Sequence, residues 1–105
     1  MSEFQTVGRV SDFEEGQISA RLVRARDVAI ANVGGVFHAF DNYCTHEAVP
    51  LTSECGVLAK TEVICLLHGS TFDLTTGAVL GGPAGTPLVI HQVRVRGDEV
   101  QVALK

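Results

Sequence analysis

Four side chains that can bind a metal stand in two short motifs. The first is Cys44-Thr45-His46, and the second is Cys65-Leu66-Leu67-His68-Gly69-Ser70. As spacing this reads C-x-H, then 18 residues, then C-x-x-H. Each half offers one thiolate and one imidazole. Two loops converging at one tip could hold a metal between them, and such a donor set suits zinc or iron. Structural zinc sites favour two closely spaced cysteines in one loop, paired with two histidines or two more cysteines in another. Here each loop mixes the two ligand types, so spacing alone leaves both metals open.

Short β-strands are the elements that must position these loops. Val28–Val33 and Val36–Phe40 flank Gly34-Gly35, a two-residue hairpin signal. Leu88–Arg96 turns through Arg96-Gly97-Asp98-Glu99 into Val100–Leu104, and Thr71–Leu74 turns through Thr75-Thr76-Gly77 into Ala78–Leu80. Thr6–Val10 and Ile18–Arg24 are further expected strands. Ser11-Asp12-Phe13-Glu14-Glu15 starts like a capped helix, but Gly16 ends it within about a turn. The expected fold class is all-β, a small antiparallel sandwich or barrel. Residues 1–105 form one domain, in which about 43–85 is expected to be inserted into a β framework. That insertion holds all three cysteines.

Composition narrows the function. A length of 105 residues leaves no room for a full oxygenase, a flavin reductase or a nucleotide-binding enzyme. The net charge of −4 argues against nucleic acid and anionic membrane as partners. The most apolar stretch, Val28 to Phe40, is too short to span a bilayer and is interrupted by Asn32, Gly34, Gly35 and His38. The first ten residues lack a basic start and an apolar run, so the chain is expected to be soluble and cytoplasmic. Three cysteines make an odd count for a disulfide framework, which favours metal ligation. No G-x-G-x-x-G and no nucleophile with an orienting partner is present.

The two motifs resemble the cluster-binding boxes of Rieske proteins. The resemblance extends to Asp41-Asn42-Tyr43, Phe72-Asp73, Gly77, Gly82-Pro83-Ala84, Pro87-Leu88 and the terminal hairpin, so it covers nearly the whole chain. It implies the Rieske fold and one [2Fe–2S] cluster, with Cys44 and Cys65 on one iron and His46 and His68 on the other. It also implies Ser70 as a hydrogen-bond donor to sulfur and the Gly82-Pro83 loop as a cover over the cluster. High-potential Rieske proteins carry an extra cysteine in each box, forming a disulfide. Val49 and Leu67 occupy those positions here, and Phe72 replaces a tyrosine whose hydroxyl also donates to sulfur. Hydrogen bonds to the sulfurs raise the potential, so the expected potential is low within the Rieske range of roughly −150 to +300 mV.

A low-potential, free-standing Rieske domain resembles the ferredoxin component of bacterial multicomponent aromatic-ring dioxygenases. The resemblance implies a one-electron carrier between a flavoprotein reductase and a terminal oxygenase, not an enzyme in itself. Two alternatives are a Rieske small subunit of a reductase, such as nitrite reductase, and a zinc-stabilised interaction module. Cys55 reads as a small, partly buried residue before Gly56, and His38 and His91 read as structural strand residues. Glu47 and Glu54 could meet a basic partner or simply face solvent.

Overall fold

The computed structural model describes residues 3–45, 50–51, 56–65 and 69–105, with backbone alone for 56–59. Ten strands run in chain order: β1 (Gln5–Arg9), β2 (Ile18–Val23), β3 (Arg26–Val33), β4 (Val36–Asp41), β5 (Gly56–Ala59), β6 (Glu62–Cys65), β7 (Ser70–Asp73), β8 (Val79–Gly81), β9 (Ile90–Arg96) and β10 (Glu99–Ala103). They form a six-stranded antiparallel sheet, β1-β10-β9-β4-β3-β2, and a four-stranded antiparallel sheet, β5-β6-β7-β8. The helix-like start after Thr6–Val10 is a single 3₁₀ turn, Val10–Asp12. Among the described residues no helix is long and apolar enough to cross a membrane.

Strands β3 and β4 are the wall between two cores. Side chains alternate across a strand. Val28 and Ile30 therefore face one way and pack with Phe37, Ala39, Val100 and Val102 inside the six-stranded sheet. Ala29 and Ala31 face the other way, with Phe40, toward Val63 and Phe72 of the smaller sheet and Leu74 just after β7. Residues Val28 to Asn32 are all buried, as a strand covered on both faces must be. Small alanines on the second face let the smaller sheet approach closely.

Two hairpins close through turns without glycine. Arg24 and Ala25 join β2 to β3 with φ of 50° and 66°, and Lys60 joins β5 to β6 with φ of 58°. Such angles belong to the two-residue turns that match the twist of paired strands. The β5–β6 hairpin is not among the strands expected from the sequence. Elsewhere the expected hairpins form within about two residues of their expected limits.

The four-stranded sheet lies, in sequence, wholly between β4 and β9. Those two strands pair directly, Ala39 with His91 and Phe40 with Ile90. The chain leaves the large sheet after Asp41 and returns at Val89, and the Asp41 amide donates to the Val89 carbonyl at 3.0 Å.

Candidate metal centre

Cys65 ends β6 and stands in register between Gly56 of β5 and Ser70 of β7. The Gly69 amide donates to the Cys65 carbonyl at 2.8 Å, closing the reversal from β6 to β7. Cys44 follows β4 through a segment held by backbone bonds. The Asn42 amide donates to the Asp27 carbonyl at 3.0 Å, and the Tyr43 amide to the Asp41 carbonyl at 2.9 Å. Both cysteines are thiols, each 2% exposed, in one core with Leu51, Val63, Phe72, Leu74, Ala84 and Leu88.

A third loop, residues 82–87, ties the two motifs together. The Ala84 amide donates to Ser70 Oγ at 3.2 Å, and the Thr45 hydroxyl donates to the Thr86 carbonyl at 2.6 Å. Gly82 has φ +83°, and a Cβ on it would lie 2.5 Å from Ser70 Cα and 2.6 Å from the Gly69 oxygen. Only glycine permits that approach. Ser70 is fully buried, whereas Pro83 faces solvent. Neither the Thr45–Thr86 bond nor the Ser70–Ala84 bond carries a sequence signal, since each joins residues far apart in the chain.

His46 and His68 lie outside the described residues, as do Glu47, Val49, Glu54, Cys55 and Leu67. Among the described residues no three His, Cys, Asp or Glu side chains gather as a metal site. The described half of the expected ligand set is Cys44 and Cys65. These fit an iron–sulfur group on chemical grounds: two buried thiols stand in one apolar core, and buried Ser70 pairs in register with Cys65. Soft thiolates are the ligands such clusters take, and a dry wall limits access of water.

The other two histidines belong to the framework. His91 Nε2 lies 2.7 Å from Asp41 Oδ1, and its Nδ1 accepts the Lys105 amide at 3.0 Å. His38 stands on β4 beside Leu74 and Asp73, and its buried Nε2 has no partner among the described residues. Burial pushes both imidazoles below their ordinary range. At His38 the Leu74 backbone and the Asp73 charge oppose this; at His91 the bond to Asp41 does.

The family model for the Rieske [2Fe-2S] domain matches residues 3–100. The chain belongs to that family and carries its [2Fe–2S] cluster, which displaces the zinc reading. The 3-phenylpropionate/cinnamic acid dioxygenase ferredoxin subunit of Escherichia coli K12 is 35% identical over 95 residues, covering 90% of this chain and 88% of that protein. The ferredoxin of carbazole 1,9a-dioxygenase from Nocardioides aromaticivorans superposes with a TM-score of 0.89 at 30% identity, over 97% of this chain and 98% of its own. A chain in the complex of reduced oxygenase and oxidised ferredoxin of carbazole 1,9a-dioxygenase gives 0.85 at 33% identity, over 95% and 92%. Within the family this chain is a ferredoxin, an electron carrier and not the catalyst.

Proposed function

We propose that this ferredoxin takes one electron from a flavoprotein reductase in the cytoplasm and passes it to a terminal oxygenase that hydroxylates an aromatic ring. Cys44 and Cys65 hold one iron as thiolates, and His46 and His68 hold the other. Residues 43–85 form the cluster-binding subdomain, and the remainder of the chain is its framework. When bound, the cluster supplies a reversible one-electron couple. Cys44 and Cys65 fix it at the end of the smaller sheet, where Phe72, Leu74 and Leu51 exclude water. Because Ser70 Oγ already accepts the Ala84 amide, its own proton is the one it can offer to a sulfur. Phe72 offers none, so the potential lies low in the family's range.

The observation that carries this reading is the pair of buried thiols in one apolar core, with residues 82–87 bridging both motifs. The oxygenase partner is supported by the relatives' dioxygenase systems and by the oxygenase–ferredoxin complex.

The test is a reconstituted ring hydroxylation. A reductase and a terminal oxygenase are mixed with NADH and an aromatic substrate, with and without the purified holoprotein. Product that depends on the holoprotein, together with elution of the protein as a free small species, is expected. A fixed complex with a large catalytic subunit and no transfer to an oxygenase would instead select the reductase-subunit reading.

A further inference from the structure

The seam between β4 and β9 is short, with only two residue pairs in register. Both ends of the insertion root there: the chain departs after Asp41, three residues ahead of Cys44, and returns at Val89 from the loop that bridges the motifs. At this root lies a buried charge cluster. The Asp41 side chain is 7% exposed and the His91 side chain 0%. His91 Nδ1 accepts the Lys105 amide, so its proton sits on Nε2 and is donated to Asp41 Oδ1. Arg26 Nη2 donates to the same oxygen at 2.9 Å, and the Tyr43 hydroxyl approaches Oδ2 at 3.4 Å.

We propose that Asp41 and His91 are positioning residues for the cluster, clasping the two ends of the insertion so that Cys44 and the 82–87 loop stay in place. This rests on the reading of Cys44 as a ligand. The physical reason is the asymmetry of buried charge. With both donors present, the Asp41 carboxylate is satisfied. With His91 removed, the buried carboxylate loses its fully buried donor, keeps the half-exposed Arg26 and the longer Tyr43 contact, and draws water or moves toward Arg26. Either response shifts the segment that delivers Cys44. A residue of equal burial elsewhere in the large sheet has no such path. Val102 is one: fully buried on β10, it belongs to the other core.

The test compares holoprotein variants His91→Leu, His91→Gln and Val102→Ala. Cluster loss is followed by visible absorbance in chelator, at temperatures set equally far below each variant's melting point, and the reduced protein is examined by EPR. H91L is expected to lose its cluster at least about threefold faster than V102A, the factor set by one net hydrogen bond. Its g-values are also expected to shift. H91Q keeps a donor toward Asp41 and is expected to return both readouts toward wild type. Equal rates in H91L and V102A with unchanged g-values would overturn the proposal. If H91L does not fold, Asp41→Asn takes its place against the same control. Cys44→Ser separates the two ideas: a retained, unaltered cluster there would overturn the ligand reading itself.

Discussion

Gly82→Ala is the substitution whose effect can be worked most closely from the structure. At φ +83° a residue with a Cβ is strained, at about 1–2 kcal/mol. The added methyl would also meet backbone on its near side, with Ser70 Cα at 2.5 Å, Gly69 O at 2.6 Å and Ser70 N at 2.6 Å. Backbone in a paired strand cannot swing away, so the 82–87 loop must lift, at an overpacking cost of about 1–3 kcal/mol. Together these give about 2–5 kcal/mol, out of a total stability on the order of 5–15 kcal/mol for a domain of this kind. At roughly 4 °C per kcal/mol the melting point should fall by about 8–20 °C. The lifted loop also breaks the Ala84–Ser70 bond and opens the second motif to water. The assay is paired calorimetry and cluster-retention kinetics, with Gly81→Ala as control. Gly81 has nothing within 4 Å of its added methyl, so G81A should stay within about 0.5 kcal/mol of wild type. A G82A protein that melts with G81A and keeps its cluster equally well would refute the packing of this loop against Ser70.

Three other outcomes follow from the same geometry. Ser70→Ala leaves the buried Ala84 amide without its acceptor, which costs about 1–3 kcal/mol, and removes the offered proton, which lowers the potential. Denaturant melts and a redox titration check both; an unchanged potential would mean that the hydroxyl points away from sulfur. Phe72→Tyr places a hydroxyl in the core that holds both cysteines and should raise the potential. A loss of stability with no change in potential would show that no sulfur lies within its reach. Because burial holds His38 and His91 below the ordinary 6.5, the unfolded chain takes up protons first as the solution is acidified. Their contribution to stability is therefore full above 6.5 and declines as pH falls below it. Melting points of the holoprotein that stayed level from about pH 6.5 to 5 would contradict that sign.

Much of this was legible in the sequence where the chemistry is local. Gly34-Gly35, Gly77 and Gly97 each have positive φ, and each marks a turn that the composition announces. The turns at Arg24-Ala25 and at Lys60 demand the same backbone angles from residues that give no warning, because neighbouring strand pairing imposes them. The β5–β6 hairpin that carries Cys65 was hidden for that reason. Cys44 and Cys65 were recognisable from spacing, and the structure places both in one core. The links that hold them were not recognisable. Asp41 and His91 stand 50 residues apart, and Thr45 and Thr86 stand 41 apart. Only the topology that returns β9 to β4 brings such pairs together.

Mixed ligation of one cluster by Cys44, Cys65, His46 and His68 is the claim on which the rest depends, and EPR of the dithionite-reduced protein tests it most directly. The account predicts a rhombic signal with an average g below that of all-cysteine [2Fe–2S] ferredoxins, altered when His46 or His68 is replaced by cysteine. A signal of the all-cysteine type, or one indifferent to both histidines, would contradict it.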